Sequence, residues 1–171
     1  MNTFRAGDRT LRLTNMSTDV LVQVLMLAVS DLAETPWDHR YAALWALQDQ
    51  GMAGLGTVGF DLAGVPWGDS AAERRRNTVF ATTVTDLAAA GHRWWELDYE
   101  PALAAAQLRE VRSLVLHGAR VAPPGQGAIW FPSEAEALRA CCVRHRVLTG
   151  RPHRPGWCVL CVDEGWESSS G

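Results

Sequence analysis

The strongest constraint on this chain lies near its carboxyl end, where Cys142-x2-His145 is followed after twelve residues by Cys158-x2-Cys161. Two intervening residues let both ligands of a pair bend back onto one ion, and four soft or borderline donors suit tetrahedral Zn²⁺. Between the pairs, Val147 and Leu148 precede Gly150, Pro152, Pro155 and Gly156, which predicts a strand, a turn and a return as in a zinc ribbon. The gap is slightly shorter than the common spacing of about 15–20 residues between paired knuckles. Three thiolates and a neutral imidazole around a divalent ion leave a single net negative charge, which Arg144, Arg146 and Arg151 offset. Asp163 is placed to accept the imidazole N–H. Other ligand sets stay open: Cys141 with His145 is an i,i+4 pair if a helix continues there, and His153 or His117 can substitute. Four protein ligands close the shell, so the expected cofactor is a structural Zn²⁺ rather than a catalytic one. No His-x-Glu precedes the cysteine pair and no His-Glu-x-x-His occurs.

The rest of the chain must fold around or beside that ribbon. With 171 residues, 47% of them hydrophobic and 20% charged, it has the size and apolar content of one domain plus a small appendage. The net charge of −3 excludes a globally basic nucleic-acid binder, though not a local patch. All 16 basic side chains are Arg, so Schiff-base chemistry and a Walker lysine are excluded. A single Ile, at position 129, beside abundant Ala and Gly points to a GC-rich bacterial source. The longest apolar run, Val20 to Val29, contains Gln23 and falls between Asp19 and Asp31. It is well short of the roughly 20 residues a bilayer span requires, so a soluble, cytoplasmic chain with reduced cysteines is expected, with no membrane partner.

Hydrophobic periodicity then predicts the elements. Ser17 or Thr18 caps a helix to about Glu34 that is apolar on nearly every side and therefore central. Thr35, Pro36 and Asp38 open a second helix carrying Tyr41, Leu44 and Trp45, with Gly51 as its stop and a strand as the alternative. Val58, Phe60 and Leu62 alternate with Thr57, Gly59 and Asp61 as a strand. Asp69 or Ser70 starts a long helix to Gly91 with Phe80, Val84 and Leu87 inside. Trp95, Leu97 and Tyr99 alternate with Glu96, Asp98 and Glu100 as a second strand. Pro101 leads into a helix with the stripe Ala104, Leu108, Val111 and Val115, stopped at Gly118. Ser133 and Glu136 form a capping box for a short helix to about Arg139. The predicted fold is α+β, a mostly helical domain with a small sheet and a C-terminal zinc-ribbon-like appendage. Its divisions are a core at 1–121, a Pro/Gly linker at 122–132, the short helix and ribbon at 133–163, and a disordered tail at 164–171.

Few residues outside the ribbon suggest chemistry. Gly54-x-Gly56-x-x-Gly59 has the form of a dinucleotide fingerprint, but Phe60-Asp61-Leu62 and Pro66 follow where a helix is required. Glu96, Asp98 and Glu100, with His92 nearby, read as the wet face of an edge strand, where charge deters aggregation. No catalytic residue is assigned. Arg74, Arg75 and Arg76 sit in the first turns of a helix, where cations oppose the macrodipole; they read as a solvated run and are carried as interaction candidates. Arg144, Arg146, Trp157 and Trp94 join them, since eight Trp exceed what a core of this size needs and Trp with Arg makes interface anchors.

The run Gly56-Thr57-Val58-Gly59-Phe60-Asp61-Leu62 with Pro66-Trp67, then Leu97-x-Tyr99-Glu100-Pro101 and the terminal Cys/His pairs, resembles small uncharacterised bacterial proteins. These share a Gly-Phe-Asp-Leu…Pro-Trp segment and end in a zinc-ribbon-like tail. The resemblance covers most of the chain beyond Trp37, implies no activity, and favours Cys142 over Cys141 as first ligand. The expected function is non-enzymatic zinc binding with a protein partner, as in an immunity protein or an adaptor. A nucleic-acid-binding ribbon using its local basic patch, or a metal-assisted hydrolase, is the alternative.

Overall fold

The computed structural model describes residues 1–49, 58–125, 127–137, 140–149 and 158–161. The chain begins with a hairpin, β1 (Asn2–Ala6) paired antiparallel to β2 (Arg9–Leu13), with Asn2 opposite Leu13 and Ala6 opposite Arg9. Gly7 supplies the left-handed residue of the turn at φ 61°. Phe4, Ala6 and Leu13 point inward while Arg5 and Arg9 face solvent. Sequence periodicity gave no sign of this hairpin.

Helix α1 (Asn15–Leu32) is the central element, with Leu21, Val22 and the run Val24 to Val29 all buried. Its cap is Thr14, whose hydroxyl accepts the Ser17 N–H at 3.1 Å, so the helix starts before the Ser17 or Thr18 expected. Around it pack α2 (Pro36–Ala46), α3 (Ala71–Ala89) and α4 (Ala104–Val121). The signals for α2 and α3 hold: Thr35 with Asp38, and Ser70 with Glu73, form reciprocal capping boxes. The α4 stripe of Ala104, Leu108, Val111 and Val115 is buried as expected. Gly118, however, does not end that helix. It sits within it because Leu62 crosses so closely that a Cβ there would lie 2.8 Å from the Leu62 carbonyl carbon.

Two predicted strands differ. Val58 to Asp61 does run parallel beside β1, with Thr3 N–H to Val58 O at 3.1 Å and Arg5 N–H to Phe60 O at 3.0 Å. It turns at once into a 3₁₀ turn, Leu62–Gly64, instead of extending as a strand. Trp94–Glu96 is also a 3₁₀ turn. Its shorter repeat puts Trp94 and Leu97 on the packed side, which sequence alternation had mistaken for a pleat. The capping-box segment after Ser133 makes a single turn, Glu134–Glu136. Gly51, Gly54, Gly56 and Thr57 lie outside the described residues.

Trp37, Tyr41, Trp45, Trp67, Phe4, Phe60 and Phe80 form one aromatic cluster, with Trp37 stacked on Tyr41 at 5.1 Å and Trp45 edge-on to Phe60 at 5.0 Å. Trp45 and Trp67 are buried, so much of the tryptophan surplus is core rather than interface. The whole is α+β and mostly helical, with small antiparallel sheets and a Cys/His cluster near its C-terminus. No helix among the described residues is long and apolar enough to cross a membrane.

Candidate metal centre

The C-terminal ribbon begins with β3 (Ala140–Cys141) and β4 (Leu148–Thr149), paired antiparallel with Cys141 opposite Leu148. The loop joining them is the first knuckle. Cys142 N–H donates to Val147 O at 2.8 Å and Arg146 N–H to Cys142 O at 2.7 Å, with Arg146 in the left-handed region at φ 51°. That curl turns Cys142 and His145 toward the same point. In the second knuckle Cys161 N–H donates to Cys158 O at 3.1 Å, bringing its two thiols together.

The four ligand atoms gather within 4.8 Å of one another, near enough to hold a metal ion. His145 Nδ1 lies 3.2 Å from Cys161 Sγ, 3.6 Å from Cys158 Sγ and 3.8 Å from Cys142 Sγ. Cys142 Sγ and Cys161 Sγ are 3.7 Å apart. A tetrahedral ion with metal–sulfur bonds of about 2.3 Å and a metal–nitrogen bond of about 2.05 Å requires roughly 3.8 Å between sulfurs and 3.6 Å between sulfur and nitrogen. Three free thiols packed for their own sake have no reason to take these spacings. Cys141, on β3 and exposed, stands outside the group: its i,i+4 pairing with His145 requires a helix, and a strand takes that place. His117 is elsewhere altogether, 3.1 Å from Asp8 and 2.9 Å from Arg120.

Burial of Cys158 pushes its thiol up to about 12, against the N–H groups of Leu160 and Cys161, which favour the thiolate. Burial, together with the Cys142 thiol, also raises Cys161. At Cys142 burial is outweighed by the N–H groups of His145 and Arg144 and by the imidazole, which draw the thiol down to about 6. Three thiolates this close repel one another, and a divalent cation between them removes that cost while releasing protons.

The knuckle is anchored to the helical body. Arg93, 3% exposed and left-handed at φ 60°, donates to the carbonyls of His145 and Arg146. Its guanidinium also pairs with Glu96 and, at 3.4 Å, with Asp31 on α1. Ser30 on the same helix accepts the Leu148 N–H at 2.9 Å. Val147, Leu148, Cys158 and Val159 belong to the same buried cluster as the helices. Neither Arg93 nor Ser30 carries a local sequence signal, because each acts across more than 50 residues of chain.

The structure distributes the remaining interaction candidates widely. Arg74 donates to Ala119 O at 2.8 Å and Ala122 O at 2.7 Å, capping the C-terminus of α4. Arg76 forms a two-pronged pair with the fully buried Asp38 at 2.6 and 2.7 Å. These two are not a solvated run; each satisfies a polar group on another helix. Arg75, between them, is exposed. Arg144 and Arg146 are exposed on the knuckle. Trp94 packs half-buried against the core, while its neighbour Trp95 is 78% exposed. Trp157, Arg151, His153 and Asp163 lie outside the described residues. Glu96, Asp98 and Glu100 share no strand face: Glu96 turns to Arg93, and His92 Nε2 lies 2.7 Å from Asp31. The recess between Glu96, Asp98 and His145 holds about 40 Å³, room for a water molecule rather than a substrate. No described protein family, curated protein or solved structure matches the chain.

Proposed function

We propose that this is a non-enzymatic zinc protein that acts by binding another protein, in the manner of an immunity protein or an adaptor. The observation that carries the reading is the donor set of Cys142, His145, Cys158 and Cys161, whose ligand atoms all lie within 4.8 Å of one another. Three thiolates and an imidazole favour zinc over harder ions, and a filled tetrahedron leaves no position for substrate. The ion's work is then to fix the shape of the chain around it. On that rigid base Val143 stands 98% exposed at the knuckle tip, and Trp95 extends beside the Arg93 anchor. A large aromatic and an aliphatic side chain held out by ordered backbone are the anchors a protein partner buries. Arg144 and Arg146 add charge complementarity for an acidic partner surface.

Elemental analysis of the purified chain should find one zinc per molecule, and Cys158→Ser should lose it. Affinity capture from the source cells should then retain a defined protein that a Trp95→Ala, Val143→Asp variant, zinc-loaded and folded, no longer retains. An identical captured set from both forms refutes this surface. A salt-sensitive gel shift with DNA or RNA, abolished by changing Arg144 and Arg146, supports the nucleic-acid alternative instead.

A further inference from the structure

On the side of the core where α2 and α3 begin, a cleft of about 630 Å³ opens, well within the range of small-molecule sites. Its apolar lining is Trp37, Pro66, Ile129 and Phe131. Arg40 and Arg76 also line it. These two cations differ in what they have left to offer. Arg76 is committed to the buried Asp38 and to Asn77, and its charge is neutralised there. Arg40 lies over the Phe131 ring at 4.7 Å and donates its Nε–H to Pro132 O at 2.6 Å. Both attachments fix the plane of its guanidinium, yet its terminal Nη groups make no hydrogen bond among the described residues. Half-buried and held in place, this outer fork matches the two oxygens of a carboxylate or phosphate. The acidic residues of the cleft do not compete for it. Glu73 spends its carboxylate on the Asp69 and Ser70 N–H groups at 3.0 and 3.1 Å. Asp69 lies at the exposed rim.

We propose that this cleft binds a small flat-ring molecule carrying one anionic group, with the ring against Trp37, Pro66 and Ile129 and the anion on the Arg40 fork. Pre-organisation of the guanidinium lowers the ordering cost of recognition, and the apolar lining gives the ring its area. The site is separate from the metal centre and independent of it.

Calorimetric titration of the zinc-loaded chain with 4-hydroxybenzoate and with adenosine 5′-monophosphate tests the two anion sources, with acetate and inorganic phosphate as ringless counterparts. At least one ring-bearing anion should bind roughly tenfold or more tightly than its ringless counterpart. Arg40→Gln should weaken it by roughly tenfold or more, and Arg75→Gln should leave it unchanged. Arg40→Lys keeps the charge and loses the fork, so it should also weaken binding even if the Gln variant fails to fold. Absence of binding by both ring-bearing anions overturns the proposal, as does equal binding of the ringless ions. Unchanged affinity in a folded Arg40 variant overturns it too.

Discussion

Arg93→Met tests how the metal knuckle is held. The substitution keeps the length and apolar stem of a side chain that is 3% exposed, and removes only the guanidinium. Met meets the same backbone cost at φ 60°, so that term cancels in the comparison. Two carbonyls, His145 and Arg146, then lose their donor, and Glu96 loses its ion-pair partner. Leaving these two part-buried acceptors unsatisfied costs about 1–3 kcal/mol between them, and the Glu96 pair, partly solvated, adds about 1 kcal/mol. A total of about 3 kcal/mol lowers the melting temperature of a chain this size by roughly 6–12 °C. The effect on the ion is separate. Groups that orient metal ligands without touching the metal are worth about 10–100-fold in affinity, and Arg93 fixes the backbone oxygen of His145 itself. Chelator competition at neutral pH and a thermal melt of the zinc-loaded protein read the two effects independently. A variant that melts within about 2 °C of the parent and holds zinc equally well refutes the claim that Arg93 secures the knuckle.

Two further perturbations probe the body that carries it. Replacing Gly118 by Ala gains about 1 kcal/mol of helix propensity but drives a methyl to 2.8 Å from Leu62 backbone. Leu62 O is itself held at 2.7 Å by the Trp67 indole, so relief is costly and a net loss of about 1–2 kcal/mol is expected in urea denaturation. A stabilised variant would show that Leu62 moves freely. Arg76→Met exposes the role of Asp38. Burial raises that carboxyl, but Arg76 and the Thr35 and Glu34 N–H groups outweigh it and hold it below its ordinary 3.8. A depressed carboxylate stabilises fully above its unfolded value and loses that contribution as pH falls through the folded one. The variant should therefore lose about 2–3 kcal/mol at neutral pH, and this deficit should shrink as pH falls below the ordinary carboxylate range. Protonation of the Cys/His cluster acts on both forms alike, so a deficit that is absent at neutral pH or independent of pH would refute the pairing.

What the sequence made legible follows from which interactions are local. Capping residues and the next turn lie within a few positions of each other, so Thr35 with Asp38 and Ser70 with Glu73 were visible. The Cys/His knuckles were visible for the same reason, and all four ligands converge. The amino-terminal hairpin was hidden because two of its inward positions are Asn2 and Ala6, which carry no strand signature. Asn2 is buried by a bond to Thr18 at 2.8 Å on α1, a partner no alternation pattern can name. Trp94 and Leu97 misled because positions three apart on a 3₁₀ turn share a side, while neighbouring acids imitate a pleat.

The arginines mark where local reasoning ends. Arg74 and Arg76 are adjacent in charge pattern yet serve opposite ends of different helices, one capping the carbonyls that finish α4, the other neutralising a buried carboxylate at the start of α2. In a chain with no Lys, every long-range cationic task falls to a planar, five-donor group that can satisfy several acceptors at once. Arg93 does this for the knuckle, tying α1 through Asp31, the Trp94–Glu96 turn, and the metal-ligand backbone into one network. The shared core of Val147, Leu148, Cys158 and Val159 makes the same connection through apolar burial. A metal ion held at the carboxyl end would thereby be coupled to the packing of α1, and a partner seated on Trp95 and Val143, as proposed, would meet a surface whose rigidity depends on that ion.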